Sequence, residues 1–180
     1  GLDIAGLSAT FEGLSYFQSG TFRRARLVME QLILRGSADN PHPFHRVIAL
    51  QGAAWLACMF EDWARLASLA ADLKTVASEY GYQFYLGVGQ IFHACALAQG
   101  NAHAQTEQRI ADGYQHYMLC EGGMLFHSFQ AWKRGELLLS AGQPLQARQL
   151  LHGAIEMALE HGERAYLVEL LDMHARTWIA

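Results

Sequence analysis

His42 and His45 stand three residues apart with Asp39 just before them. That spacing at a helix start could bring two imidazoles and a carboxylate to one metal ion. No fourth ligand is near, and the prolines around them give the segment ordinary turn chemistry, so capping or surface exposure is the stronger reading and no metal is expected. His93 and Cys95 share an apolar stretch. His103, His116, His127, His152, His161 and His174 are dispersed without a common spacing and read as surface or hydrogen-bonded core histidines. Glu121-Gly122-Gly123 has the glycines of a phosphate loop but lacks the Lys-Ser/Thr ending that holds phosphates and Mg²⁺, which makes it a helix stop. The chain contains no P-loop, no G-x-S-x-G, no H-E-x-x-H and no C-x-x-C. These absences point to a non-catalytic chain with no cofactor.

The elements that must position any site are helices. Of the 180 residues, 52% are apolar and 17% charged, which excludes a disordered chain and suits a single buried domain spanning residues 1–180. Ala, Leu, Glu, Gln and Arg dominate, and three prolines with scattered β-branched residues leave few candidates for strands. The net charge of −4 arises from interspersed acids and bases. Arg23, Arg24, Arg26 and Arg35 read as a solvated helix face, so no direct nucleic-acid contact is expected. Cys58, Cys95 and Cys120 are odd in number and lie in apolar stretches, which suits buried free thiols in a reducing compartment and points to the cytoplasm. No apolar run approaches the roughly 18 to 20 residues that span a bilayer. Gly1 in place of Met suggests a piece of a larger protein.

Turn signals recur at Ser19-Gly20-Thr21, Phe60-Glu61-Asp62, Gln99-Gly100-Asn101 and Ala141-Gly142-Gln143-Pro144, a period of roughly 40 residues. Between them Gly36, Gly81, Gly122 and Gly162 each follow an apolar-periodic stretch, where a left-handed glycine ends a helix. Together they predict nine helices: one ending near Ser19, then Thr21–Leu34, Pro43–Met59, Asp62–Tyr80, Gln83–Ala98, Asn101–Cys120, Met124–Ser140, Pro144–His161 and Glu163–Trp178. Short connections make neighbours antiparallel. Ser128–Arg164 is the clearest hairpin. Apolar residues at spacings of three and four, such as Leu66, Leu69, Ala70 and Leu73, give each hairpin more apolar surface than it can bury alone, so hairpins must stack.

Gly13, Tyr16, Gly20, Phe22 and Ala25 look like the tetratricopeptide signature, and Gly135, Gly142, Ala147 and Ala154 repeat part of it, in units longer than the standard length of about 34 residues. From Asn40 to Ala180 the strings NPHPFHRVIAL, SEYGYQFYLGVGQIFHACALAQG and LLLSAGQPLQARQLLHGAIEMALEHGERAYLVEL are similar to the helical-repeat region of bacterial cyclase-like proteins, regulatory ATPases and LuxR-type transcriptional regulators. The pattern departs at His93, where a small residue is usual, at Glu61, which replaces a turn glycine, and at Gln105, which replaces the alanine.

The resemblance implies an all-α, right-handed α-solenoid of four antiparallel hairpins plus a ninth helix, serving as a sensor or protein-interaction segment. It also implies that Gln51, Trp55, Gln90, Trp132 and Glu136 line a concave groove for a peptide, a partner or effector domain, or a small ligand. Packing between hairpins is the competing role for Trp55 and Trp132. A structural spacer and an enzyme with a site between hairpins are the other readings. Leu167, Leu170, Leu171 and Trp178 on the last helix, with no partner helix expected, suggest a homodimer.

Overall fold

The computed structural model describes residues 4–37, 39–40, 42–98, 103–119 and 127–180. Among them the chain is entirely helical outside its turns: α1 Ile4–Gln18, α2 Phe22–Gly36, α3 Pro43–Met59, α4 Trp63–Glu79, α5 Gln83–Leu97, α6 His103–Leu119, α7 His127–Ser140, α8 Pro144–Glu160 and α9 Leu167–Arg176. Each helix packs on the next, and α1 on α3, α3 on α5 and α7 on α9 add a second row of contacts. The result is an array of stacked antiparallel hairpins. None of these helices is long and apolar enough to cross a membrane.

One device ends five of the helices. Gly20, Glu61, Gly81, Gly142 and Gly162 all take positive φ, between 55° and 74°. After each, a backbone N–H reaches back to a carbonyl five residues earlier, as in Thr21 to Tyr16 (2.8 Å), Tyr82 to Ala77 (2.8 Å) and Gln143 to Leu138 (2.8 Å). This Schellman arrangement satisfies carbonyls that the helix end leaves unpaired. Glu61 does the same work without being glycine, at φ 55°. Asp62 then caps α4, its Oδ1 accepting from the Arg65 N–H. Proline opens α3 and α8, where its missing N–H is no loss.

Gly36 departs from the expectation. It is not a left-handed stop but the buried last residue of α2, where an added Cβ would lie 2.8 Å from Leu50 Cγ. Its smallness serves close helix packing, and Ser37, with an extended backbone, is the residue that leaves the helix. The expected stops at Gln99-Gly100-Asn101 and Glu121-Gly122-Gly123, together with Cys120, lie outside the described residues.

The core runs from α2 through α5 and onward to Ile110, Phe129, Leu137 and Tyr166. A second apolar cluster joins α7, α8 and α9 around Leu151, Ile155 and Leu170, and Trp132 packs against both clusters. The last helix is shorter than expected and does have partners: it packs on α7 and α8, burying Leu170 and Met173. Val168 and Leu171 on it, and Trp178 and Ile179 beyond its end, are exposed. The Arg148 guanidinium lies 3.7 Å from the centre of the Trp178 ring and also donates to Thr177, tying the chain end to α8.

Candidate functional site

The five residues expected on a groove wall occupy three different environments. Gln51 and Trp55, on α3, are buried in the core. Trp55 Nε1–H donates to the Tyr166 hydroxyl oxygen and its ring stacks on that of Tyr166. Trp132, on α7, also stacks on Tyr166, 5.8 Å away with an interplanar angle of 25°, and meets Phe129 edge-on. Gln90, on α5, lines a cavity of about 400 Å³ with Lys74, His93, Arg109 and Asp112. Glu136 alone faces the larger cleft.

That cleft, of about 610 Å³, lies between the C-terminal end of α5, α6, α7 and α9, with the α3–α4 turn at its rim. Ile110, Leu137 and Met173 supply apolar surface, while Glu61, Lys133, Glu136 and Arg176 bring charge of both signs. Mixed apolar and charged walls of this size suit a small ligand or a peptide side chain. The α7 helix carries the site because Gly135 lets it approach α8: a Cβ there would sit 2.8 Å from Leu151 Cδ2. With that face packed, Lys133 and Glu136, one turn apart, face the cleft.

Lys133 is nearly buried, and its Nζ is 3.0 Å from Glu136 Oε2 and 3.7 Å from the centre of the Trp132 ring. Burial works against its charge, but Cys58, Glu136 and Cys95 together outweigh it and hold its pKa above the ordinary lysine value. The two thiols, on α3 and α5, are buried and free. The hydrogen bond from Cys95 lowers the Cys58 pKa against the opposing effect of burial, and the Lys133 ammonium lowers it further. Cys95, as the donor and fully buried, is pushed well up. Of the two thiols, Cys58 is therefore the more acidic.

Sequence reasoning placed both cysteines in apolar helices but did not bring them together, and it passed over Lys133, Glu61 and Arg176. A lysine directly after Trp132 with a glutamate three residues on was the one local signal available. His42 and His45 do meet, their rings 5.0 Å apart. Near them Asn40 shapes the loop, donating to the Arg35 carbonyl and accepting from the His42 N–H. Among the described residues no three His, Cys, Asp or Glu side chains are grouped to hold a metal. Arg24 and Arg26 lie over the Tyr16 and Phe60 rings on the surface. No family model matches this chain, and neither a curated protein nor a solved structure shows significant similarity to it.

Proposed function

We propose that this chain is a non-catalytic sensor or protein-interaction segment of a bacterial signalling or transcription-regulatory protein, and that the cleft bounded by α5, α6, α7 and α9 is where it takes its ligand. The carrying observation is the pairing of Lys133 with Glu136 on the wall of a cleft to which Ile110, Leu137 and Met173 add apolar surface. Such a wall suits a ligand with an apolar body and a polar group of either charge, such as a short peptide or an amino-acid-like molecule, because desolvated charged groups orient what apolar contact holds. Trp55 and Trp132, both packed on Tyr166, belong in this reading to the frame behind the site.

A thermal-shift screen of amino acids, short peptides and nucleotides tests it. A ligand at 100 times its Kd stabilises the folded state by about 2.7 kcal/mol, on the order of 5 to 10 °C for a chain of this size. The shift should be lost in Glu136→Gln and in Leu137→Ala variants that keep their helical content. A ligand whose shift survives both substitutions binds elsewhere, and the cleft assignment is then wrong.

A further inference from the structure

We propose that the cavity of about 400 Å³ lined from α4, α5 and α6 is a second binding site, for a small phosphate monoester on a hydroxylated body such as a sugar phosphate. It shares no described residue with the cleft bounded by α5, α6, α7 and α9, so the inference is independent of any ligand there.

The walls come from three helices: Lys74 on α4, Gln90, His93 and Ala94 on α5, and Arg109 and Asp112 on α6. Two glycines hold those helices close. A Cβ on Gly89 would lie 2.7 Å from Lys74 Cγ, so the lysine stem crosses α5 at that point. A Cβ on Gly113 would lie 3.1 Å from both Gln90 Cβ and the Ile91 backbone nitrogen, which sets α6 against the same stretch of α5. Of the described lining residues only Ala94 is apolar. Such a wall selects its ligand by charge and hydrogen bonds rather than by apolar contact.

The charge on it is uncommitted. Elsewhere Arg65, Arg134 and Arg176 pair with carboxylates, and Arg24, Arg26 and Arg148 lie over aromatic rings. Among the described residues Lys74 and Arg109 have neither kind of partner, yet both line this one cavity from different helices. Asp112, the acid on the wall, is engaged by Gln108, whose Nε2 donates to its Oδ1 at 2.8 Å. A phosphate monoester carries roughly −1.5 to −2 at neutral pH and matches the two cations, while the Gln90 amide and the second Asp112 oxygen can bond hydroxyl groups. Burial first, then Lys74 and Arg109, hold the His93 pKa below the ordinary histidine value. A bound dianion offsets both cations, so His93 takes up a proton more readily when the site is filled.

The test titrates the full chain by calorimetry, at neutral pH and low salt, with glycerol 3-phosphate, ribose 5-phosphate and glucose 6-phosphate, beside glucose, inorganic phosphate and succinate. At least one ester should bind more tightly than inorganic phosphate, and glucose and succinate more weakly than that ester. Lys74→Met and Arg109→Met should each weaken it about ten- to hundred-fold, the effect of losing a charged hydrogen bond. Arg23→Met, which removes an exposed cation on α2, should leave the affinity unchanged, and the helical content of every variant is checked by circular dichroism. In proton NMR of the unsubstituted chain the His93 ring signal, assigned by its loss in His93→Gln, should titrate at higher pH with the ester at saturation than without it. No binding by any of the three esters, affinity unchanged in both Lys74→Met and Arg109→Met, or succinate binding as tightly as the esters would each overturn the proposal. A His93 midpoint that the bound ester does not move would overturn it as well.

Discussion

Trp55 and Tyr166 are 111 residues apart and meet in the core, where the indole N–H donates to the phenol oxygen and the two rings lie 6.4 Å apart at an interplanar angle of 21°. Trp132 stacks on Tyr166 as well, so one aromatic group joins α3, α7 and the approach to α9. The first hairpins and the last are therefore held as one body at the level of the cleft. Burial keeps the Tyr166 phenol from ionising far beyond its ordinary range, so the contact stays intact at any working pH.

Tyr166→Phe should keep the ring stack and strip the buried Trp55 N–H of this acceptor, costing about 1 to 3 kcal/mol. Tyr166→Ala also opens a cavity and should cost about 3 to 5 kcal/mol, as large aromatic truncations do. Urea unfolding followed by tryptophan fluorescence measures both. Equal midpoints for wild type and Tyr166→Phe would show that the hydrogen bond contributes nothing to stability.

Glu61 and Gly81 should respond to substitution with opposite signs. Glu61 occupies the left-handed region at φ 55°, where a side chain costs about 1 to 2 kcal/mol, while glycine's extra freedom in the unfolded chain takes back about 0.5 to 1 kcal/mol. Glu61→Gly should therefore raise stability by up to about 1 kcal/mol. Gly81→Ala, at φ 71° with open space around it, should lower it by about 1 kcal/mol from backbone strain alone. Melting temperatures that move in the same direction for both would contradict the shared turn geometry.

Stability should decline on acidification from neutral pH. Burial first, then the nearby His161 and Arg134 charges, hold the His127 pKa below the ordinary value, and its Nδ1 is 2.8 Å from the Tyr114 hydroxyl. The unfolded chain then binds a proton at a higher pH than the folded one. Stability is accordingly full above the ordinary histidine pKa of about 6.5 and is lost as pH falls through it. His93 and His174 are lowered too and add to the same slope. Glu163 has the opposite sign: burial raises its carboxyl, so its contribution is present at low pH and lost as pH rises through that raised value. Melting temperatures at pH 7.5 and 5.8 test the balance, with the higher value expected at pH 7.5. A smaller gap should follow His127→Gln, and an unchanged one would remove His127 from the account.

The all-helical class and most helix ends were legible in the residues because the signals are local. Gly20, Gly81, Gly142 and Gly162 act through their own φ, Pro43 and Pro144 through a missing N–H, and Asp62 through an N–H three residues on. Ala25, Ala147 and Ala154 are buried as their spacing implied. Gly36 was misread because a glycine needed for left-handed backbone and one needed for close packing look the same in a sequence, and only the neighbouring Leu50 tells them apart. The last helix was expected to want a partner because an apolar residue on a terminal helix gives no sign of which neighbour covers it. In the structure Leu170 and Met173 are buried where α9 packs on α7 and α8.

What the sequence by itself determined, then, was where helices start and stop and that they must stack, since backbone sterics, capping and apolar periodicity act over a few residues. Which side chains converge was decided by the tertiary structure alone. The cleft draws Ile110, Glu136 and Met173 from three helices, and Trp55 meets Tyr166 across 111 residues of chain. Contacts of that span depend on every packed pair between the two sites, and no spacing within a single helix records them.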